Sequence, residues 1–436
     1  MSATGDIQSS EMQSNETLGS SRIITIQNRS VATLSGAQMF GGIAVAGSVP
    51  AGALLAVSLT DSEAFAGLVQ TAGVLGAAIF ALPLARIALT RGRRPALASG
   101  YGLGAVGAIL VIFGAVSKNV ALVLFGSLFV GVASAASLQA RYAATDLALP
   151  QHRARSLSYV VWAATIGAVL GPNLLNFSGS VGMSLGLPQL SGPYVVSAIA
   201  LTLAVLILLV SLRPDPFQLA TKLRQDQEPG TKIAHPKLRD GIDHLRTRPR
   251  AVLGIGAISI GHVVMIMVMV MTPVHMAHVD VTLQLIGLVI SVHVAGMYAF
   301  SPLVGMAVDR FGRVPMILAG AVILALSCAI SGLAPADNVL VLGIGLFLLG
   351  LGWSFTLIAG STLVTDSVEA NERPSVQGLS DLSMNAAGAL GGVAAGLIMW
   401  AGGYGWLCAF AILPLIALAI WVRVPACRLH SNARSI

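Results

Sequence analysis

Long apolar segments alternate with short polar loops along almost the whole chain. A helix needs about 20 mostly apolar residues to cross the hydrocarbon core of a bilayer. By that measure the pattern predicts twelve membrane-spanning helices, at residues 33–58, 64–87, 96–117, 120–143, 156–178, 193–212, 251–272, 283–307, 315–334, 338–363, 376–400 and 404–422. The predicted fold class is therefore an all-α polytopic membrane protein.

The second half of this pattern repeats the first. The loop at residues 91–95, with the sequence Arg-Gly-Arg-Arg-Pro, returns 220 residues later as Phe-Gly-Arg-Val-Pro at residues 311–315. The same shift, without a gap, places Asp146 on Asp366. Agreement at a fixed offset indicates an internal repeat, and it predicts two halves of six spans each.

Polar segments flank and separate the two apolar halves. The start of the chain is rich in Ser, Glu, Gln and Asn and lacks the apolar core of a signal peptide, so we expect a disordered tail. The middle segment contains five prolines and many charges, and within it Leu238, Ile242 and Leu245 are spaced for one face of a short surface helix, although a solvated linker fits equally well. The predicted organisation is a tail at 1–30, a bundle at 31–212, a linker at 213–250, a bundle at 251–423 and a tail at 424–436.

Composition and charge agree with a membrane location. Apolar residues make up 55% of the chain, charged residues 10%, and the net charge is +7. If the N-terminus is cytoplasmic, Lys118 is the one residue of the 25 Lys and Arg that falls outside, so the basic excess follows the positive-inside rule and does not indicate nucleic-acid binding. This predicts a multi-pass plasma-membrane protein of the bacterial inner-membrane type, with both termini cytoplasmic.

The pattern of reactive side chains predicts no metal, no cofactor and no catalytic centre. His275 and His278 have metal-like spacing, but two ligands do not make a site. There is no Walker loop, so ATP is not the expected energy source. An enzyme is the least favoured class, because no cluster of catalytic groups is visible.

A sequence pattern at the loop of the second half carries a family resemblance. Gly305, Asp309, Arg310, Gly312 and Arg313 fit the pattern G-x-x-x-D-R-x-G-R-R, and the chain resembles the major facilitator superfamily over essentially all its spans, most like the drug:proton antiporters. The resemblance implies two six-helix bundles that rock about a central site, and it favours a role for this loop as a charge latch. Merely holding the turn is the alternative role.

The first half keeps only part of that pattern, namely Gly92, Arg93 and Arg94. The expected glycine, acid and first arginine are replaced by Ala85, Leu89 and Thr90, with Arg86 as a possible local substitute. These departures leave open whether the latch operates in both halves.

An acid at a span end is followed seven residues later by an arginine in both halves, as Asp146 with Arg153 and Asp366 with Arg373. An ion pair at this place that exists in only one packing of the halves would bias which side of the membrane is open. A structural or irrelevant role stays open, because an exposed pair contributes less than about 1 kcal/mol.

Span five contains Gly167, Gly171 and Pro172, which resemble the core of the antiporter motif G-x-x-x-G-P. Proline removes a backbone donor and the glycines permit close packing, which we expect to occur against the opposite half. The resemblance favours export over import. A packing kink without directional meaning is the alternative.

Three titratable groups lie inside predicted spans and are candidates for proton coupling, because ionisable groups are costly in a bilayer. They are Asp381, His262 and His293. Asp381 is the sharpest candidate, although a carboxyl satisfied by helix hydroxyls or an arginine is the alternative. The unperturbed histidine pKa of about 6.5 suits a proton carrier, but a lone histidine is more often a packed group.

In the family that the chain resembles, spans one, four, seven and ten line the cavity, which makes several polar and aromatic residues substrate-cavity candidates. On those spans they are Gln38, Phe40, Gln139, Trp353 and Phe355, and on neighbouring spans they are Gln70, Trp162, Asn173, Tyr298 and Asn385. We expect no arginine at mid-depth, which argues against strongly anionic substrates. A mostly apolar cavity suits a lipophilic or cationic compound.

The hypothesis from sequence is a monomeric secondary transporter in the lipid bilayer that exports small lipophilic or cationic compounds, with the proton gradient as its energy source and no cofactor. A metabolite or sugar carrier of the same fold is one alternative. A non-transporting membrane sensor or assembly partner is another.

Overall fold

In the computed structural model, α-helices make up almost all of the described chain, which comprises residues 3–60, 63–227, 245, 247–277, 279, 281 and 283–423. The helices are α1 Ala3–Thr60, α2 Glu63–Arg91, α3 Arg93–Val116, α4 Val120–Ala143, α5 Arg153–Asn173, α6 Leu175–Ser184, α7 Gly192–Ser211, α8 Pro216–Gln227, α9 Pro249–Ala277, α10 Leu283–Tyr298, α11 Ser301–Phe311, α12 Arg313–Leu333, α13 Val339–Ser367 and α14 Arg373–Trp421. Short 3₁₀ turns at Pro150–His152 and Gln189–Ser191 precede α5 and α7.

Ten helical segments within the described residues are long and apolar enough to cross a membrane. The first predicted span lies in α1, which is not among the ten. Spans eleven and twelve together form α14, where Gly403 breaks the helical geometry with φ 78° and ψ −175°. Such a positive φ is open to glycine and costly for other residues, so Gly403 makes the turn between these two spans.

Two predicted spans are interrupted. Span five ends at Asn173, and the chain continues as the short helix α6. Span eight is divided into α10 and α11 around Phe300, with Pro302 in the first turn of α11. Proline has no N–H to continue the preceding helix, which explains the division.

The N-terminal segment differs from the disordered tail expected for residues 1–30. Helix α1 begins at Ala3 and is continuous into the first span. The Gln27 side chain is buried, and its Nε2 donates to the Ala144 carbonyl oxygen at 2.6 Å. Ser30 is buried as well. This polar contact with the end of α4 holds the last part of the expected tail against the first half.

Each half has its own hydrophobic core, and α5 contacts both. In the first half, residues such as Leu34 on α1 and Leu201 on α7 belong to one buried cluster. The core of the second half includes Ala154, Leu157 and Val161 of α5. The halves are therefore joined through an apolar face of α5.

The segment after α7 docks on the loop between α2 and α3. The Asp215 carboxylate accepts hydrogen bonds from the Phe217 and Gln218 backbone N–H groups at the start of α8, at 3.0 and 3.2 Å. Gln218 Nε2 in turn donates to the Arg91 carbonyl oxygen at 2.8 Å. Helix α8 is thus attached to the first half, whereas Leu238 and Ile242 of the predicted surface helix lie outside the described residues.

Candidate functional site

The loops before α3 and α12 lie at one end of the helices, which we call the basic end. In the first half, Arg93 Nε and Nη2 donate to the two Asp146 carboxylate oxygens at 2.8 and 3.2 Å. Arg93 Nη2 also donates to Gln377 Oε1 at 2.6 Å. Both charged side chains are buried, and a guanidinium that binds a carboxylate through two nitrogens has a fixed orientation. Arg93 therefore joins α3 to α14 of the other half.

The second half repeats this pair at the same offset. Arg313 Nε donates to Asp366 Oδ2 at 2.9 Å. The other oxygen of Asp366 accepts from Arg153 Nη1 of the first half. Each half thus holds one arginine–aspartate pair of its own, and each pair has a further partner across the interface.

The arginines seven residues after the two acids do not bind those acids. Arg153 binds Asp366 of the opposite half, and Asp146 binds an arginine of the loop. Arg373 Nε donates to the Thr365 carbonyl oxygen at 3.0 Å. Of these four residues, only Arg153 and Asp366 form an ion pair across the halves, because α5 begins next to the end of α13.

Asp309 caps a helix of the opposite half. Its carboxylate accepts hydrogen bonds from the backbone N–H groups of Ala154 and Arg155, at 3.2 and 2.9 Å. Arg313 Nη2 lies 3.5 Å from the same carboxylate. The first N–H groups of a helix have no partner within the helix, and a negative charge there also interacts favourably with the helix dipole. We call these cross-half contacts of Arg93, Arg153 and Asp309 the gate.

The incomplete pattern of the first half has a structural explanation in its contact partners. The 220-residue shift places Leu89 on Asp309 and Pro374 on Ala154. Pro374 lies in the first turn of α14 and has no N–H. An acid at position 89 would therefore lack a donor that Asp309 uses, and the buried Leu89 occupies that place without needing one.

The replacement of the expected glycine by Ala85 is likewise explained by the residue that it contacts in the other half. A Cβ added to Gly305 would lie 2.3 Å from Ser158 Oγ, so the glycine allows α11 to approach α5. At the repeat-related contact, a Cβ on Gly378 would lie 2.5 Å from the Ala85 Cβ. Each of the two contacts thus pairs one glycine with one small side chain. Under the 220-residue shift, Ala85 takes the position of Gly305 and Gly378 takes the position of Ser158, so the glycine stands on the other helix of the contact. Close approach is preserved in both halves.

The two loop glycines hold positive φ angles, 96° at Gly92 and 91° at Gly312. Such a backbone is strained for other residues. Behind Gly92, Asp215 Oδ2 accepts from the Arg94 N–H at 2.7 Å. The acid that contacts the first-half loop therefore comes from the segment before α8.

Arg86 and Arg310 contribute less to the gate. Arg86 is exposed on α2, and its carbonyl oxygen accepts a hydrogen bond from Thr90 Oγ1 at 2.9 Å within the same helix. The Arg310 guanidinium carbon lies 5.4 Å from the centroid of the neighbouring Phe311 ring. Neither contact crosses between the halves.

A second buried ion pair lies further inside the protein. Arg141 Nη2 on α4 donates to Asp381 Oδ1 on α14 at 2.6 Å, with side-chain exposures of 2% and 1%. Arg141 Nε and Asp381 Oδ2 have no hydrogen-bond partner among the described residues. Next to them, the Tyr142 hydroxyl donates to Ser380 Oγ at 3.2 Å. We call Arg141 and Asp381 the floor pair.

Arg141 of the floor pair lines a central cavity of about 290 Å³ between the halves. Four of the predicted substrate-contact residues line it, and they are Gln38, Tyr298, Trp353 and Asn385. His262 lines it too, and its Nδ1 accepts from Trp353 Nε1 at 3.1 Å. Because the indole only donates, the neutral histidine carries its proton on Nε2. Arg141 is on the cavity wall, five residues before Asp146 of the gate.

We expected no arginine at mid-depth, yet Arg141 in the last turn of α4 lines the central cavity. Ser134, Ser137, Leu138 and Arg141 all line it, and their spacing is that of one helix face. Polar residues at this spacing within an apolar span are the sequence pattern from which a position of Arg141 on the cavity wall could have been predicted. The lack of an arginine can therefore no longer be used to exclude anionic substrates.

The other candidates lie elsewhere. Gln139 is buried and its Nε2 donates to the Ala81 carbonyl oxygen at 2.8 Å, outside the cavity lining. Phe40 and Phe355 pack against the cores of the first and second half. The Trp162 side chain is 42% exposed on the surface of α5. Gln70 lines a smaller pocket beside the cavity, and the side chains of Asn173 and Pro172 lie outside the described set.

His293 is fully buried, and its Nδ1 donates to the Leu346 carbonyl oxygen at 2.8 Å. It does not line the central cavity. Its surroundings are those of a packed core histidine.

The glycines of span five pack within their own half, so the expectation that they pack against the opposite half was wrong. A Cβ on Gly167 would lie 2.5 Å from the Gly42 Cα, and one on Gly171 would lie 2.7 Å from the Gly47 nitrogen. The glycine face of α5 therefore contacts the backbone of α1. Its opposite face carries the residues that contact the second half.

Comparisons with known proteins agree with this architecture. The family model for the Major Facilitator Superfamily matches residues 34–280 and 258–434. The chain is 36% identical over 406 residues to the uncharacterized MFS-type transporter YdeG of Bacillus subtilis (strain 168), covering 92% of this chain and 93% of that one. It is 27% identical over 399 residues to the riboflavin transporter RfnT of Brucella anthropi, covering 91% and 95%.

A solved structure shares the fold. FucP, the fucose:proton symporter of E. coli, in its outward conformation matches with a TM-score of 0.70 at 16% identity, over 90% of this chain and 97% of that one. The likeness confirms the predicted fold class of two six-helix bundles. Since the family model and a relative above 30% identity both span most of the chain, this protein belongs to the major facilitator superfamily, a family of membrane transporters and not of enzymes.

Proposed function

We propose that the protein is a proton-coupled secondary carrier that exports small organic compounds by alternating access. The observation that carries the proposal is the floor pair, a buried Arg141–Asp381 contact of 2.6 Å that joins the halves at the edge of the central cavity. Buried charges in a membrane protein mark sites of function by default. The positive-inside pattern supports a basic end that faces the cytoplasm.

The gate and the floor pair define which side is closed. Contacts of Arg93, Arg153 and Asp309 join the halves at the basic end, and the cavity lies beyond Arg141. The arrangement is that of a carrier closed towards the basic end. For transport, these contacts must break while the halves rock and close the other side.

Protonation of Asp381 supplies a reason for that change. Its Oδ2 has no hydrogen-bond partner among the described residues, so a proton can be added there without breaking a bond. The neutral acid no longer balances the charge of Arg141, and removing one partner from a buried pair costs about 3–5 kcal/mol. A proton that enters from the cavity therefore favours release of α4 from α14. When Asp381 loses this proton at the basic end, the Arg141–Asp381 ion pair forms again.

The test is pH-gradient-driven uptake of a fluorescent cationic compound into inside-out vesicles. We expect uptake by the intact protein and none by Asp381→Asn, because the amide cannot exchange a proton. Asp337→Asn makes the same chemical change at an exposed position of the loop before α13 and should leave uptake unchanged. Equal uptake by Asp381→Asn and the intact protein would remove Asp381 from the coupling step.

A carrier of heteroaromatic metabolites is the second candidate. It is favoured by the 27% identity to a protein named as a riboflavin transporter and by Arg141 at the cavity wall. Exchange of radiolabelled against unlabelled riboflavin in proteoliposomes separates the two candidates. Riboflavin exchange without uptake of the cationic compound would favour the metabolite carrier.

A further inference from the structure

A smaller pocket opens beside the central cavity, entirely against helices of the first half apart from Asn385. Its volume is about 150 Å³. We call it the serine niche, after the hydroxyl residues Ser48, Ser127 and Ser134 that line it. Ser134 and Asn385 also line the central cavity, so the two spaces adjoin. One ligand can therefore occupy both.

The hydrogen-bonding state of the niche favours ligands that donate. Ser48 Oγ donates to the Val45 carbonyl oxygen at 2.9 Å, and Ser127 Oγ donates to the Val123 carbonyl oxygen at 2.8 Å. A hydroxyl has a single proton to donate, so both oxygens keep acceptor lone pairs. None of the described residues lining the niche carries a charge. These features fit neutral hydroxyl groups better than an ion.

The position of the niche that Gly73 leaves open is occupied by a side chain at the repeat-related place in the second half. The 220-residue shift places Gly73 on His293. Gly73 lines the niche, and a Cβ added there would meet only the Ser127 carbonyl oxygen within 4 Å, at 3.8 Å. His293 instead fills its own surroundings and binds Leu346. The repeat thus leaves this one position open in the first half and filled by a side chain in the second.

The central cavity offers a different surface on the side of the second half. The Tyr298 and Trp353 rings meet edge to face, with centroids 5.8 Å apart and an interplanar angle of 85°. His262 fixes the indole through the hydrogen bond to its Nδ1. Aromatic walls of this kind bind planar rings by stacking and edge contacts.

We propose that the substrate is a two-part molecule, with a planar aromatic ring system in the central cavity and a neutral hydroxylated chain or sugar in the serine niche. This inference rests on the proposed carrier function and names its substrate class. Neither part alone fills both spaces. Discrimination by unpaired buried polar groups is strong, so a ligand that lacks the hydroxyl chain should bind markedly less well.

Equilibrium binding to the purified full-length protein, without any pH gradient, tests the inference. The probes are 4-methylumbelliferyl β-glucoside, the ring alone as 4-methylumbelliferone, and the sugar alone as methyl β-glucoside. We expect the glucoside to bind at least about tenfold more tightly than the ring, which corresponds to about 1.4 kcal/mol. Gly73→Val, which fills the niche, and Ser127→Ala, which removes a hydroxyl that lines the niche and not the central cavity, should each reduce that advantage and leave the affinity for the ring unchanged.

Gly396→Val is the matched control, since Gly396 also has no atom within 4 Å of an added Cβ but lies on α14, away from both pockets. It should not change any of the three affinities. Equal affinity for glucoside and ring, or binding of neither, would overturn the inference. Because these measurements need no proton gradient, that result together with intact gradient-driven uptake would reject the substrate class and leave the carrier function standing.

Discussion

Ser158 of α5 and Gly305 of α11 meet so closely that a Cβ on the glycine would lie 2.3 Å from the serine Oγ. The contact joins the two halves beside the gate, where Asp309 caps the start of α5. A side chain at position 305 must therefore separate α11 from α5.

We predict that Gly305→Ala weakens closure of the basic end and that Ser158→Gly restores it in the double variant, since the repeat-related contact has this arrangement with Ala85 and Gly378. Ser380 is buried, so a cysteine placed there by Ser380→Cys would react with a membrane-impermeant thiol reagent only when the basic end opens. The background needs Cys427→Ser, because Cys328 and Cys408 are buried. We expect labelling several-fold faster in Gly305→Ala and near the starting rate in the double variant. A double variant that labels as fast as the single one would contradict this account.

Leu89 gives a second prediction. Leu89→Asp restores the family pattern in sequence but buries a carboxylate where Pro374 offers no N–H, so it should destabilise the protein by about 1–3 kcal/mol or more. Thermal unfolding in detergent measures the loss, with Thr90→Asp at the adjacent exposed position as the control. Adding Pro374→Ala supplies a donor and should recover part of the stability. Unchanged unfolding of Leu89→Asp would show that the proline is not the cause of the departure.

The floor pair should show strong coupling between its members. Arg141→Gln and Asp381→Asn each leave one buried charge unpaired, at a cost of about 3–5 kcal/mol. The double variant leaves no charge, so it should unfold at a higher temperature than Arg141→Gln alone. A double-mutant cycle on the midpoint temperatures provides the measurement. Additive losses would mean that the two residues do not stabilise each other.

Substitutions of the two intramembrane histidines should have different effects, one on stability and the other on substrate affinity. His293→Ala removes a buried ring and its hydrogen bond to Leu346, so we expect lower thermal stability with an unchanged proton-to-substrate ratio. His262→Gln lies at the cavity wall and should change substrate affinity. Thermal unfolding in detergent measures the effect of His293→Ala on stability. Vesicle uptake at a fixed pH gradient and varied substrate concentration, with proton flux recorded in parallel, measures the substrate affinity and the proton-to-substrate ratio of both variants. A changed proton-to-substrate ratio in His293→Ala would make that residue part of the coupling.

The sequence predicted the helices because each span is a long apolar run, and it predicted the loop turns because Gly92 and Gly312 recur at one offset. It could not predict the partners across the halves. An internal repeat shows which positions are equivalent, but the pairing of Arg153 with Asp366 depends on how the halves pack. Asp381 was predicted as an intramembrane acid, whereas its partner Arg141 was not among the candidate residues.

The cavities were harder to predict for a related reason. A cavity is the space that side chains from several helices leave open, and no single helix face determines it. Gln38 and Phe40 lie two residues apart on α1, yet the first lines the cavity and the second packs against the core. The niche depends on Gly73, whose significance follows only from comparison with His293 in the folded protein.

The two faces of α5 differ in how tightly they hold their neighbours. Gly167 and Gly171 bring its backbone directly against that of α1, so the two helices pack closely there. Towards the second half it presents Ala154, Leu157 and Val161, which are small or aliphatic side chains. Whenever the halves change their relative tilt, α5 must travel as one rigid piece with α1. The halves then move past each other between α5 and α11, where the Gly305 contact lies beside the gate, and between α2 and α14, where Gly378 meets Ala85.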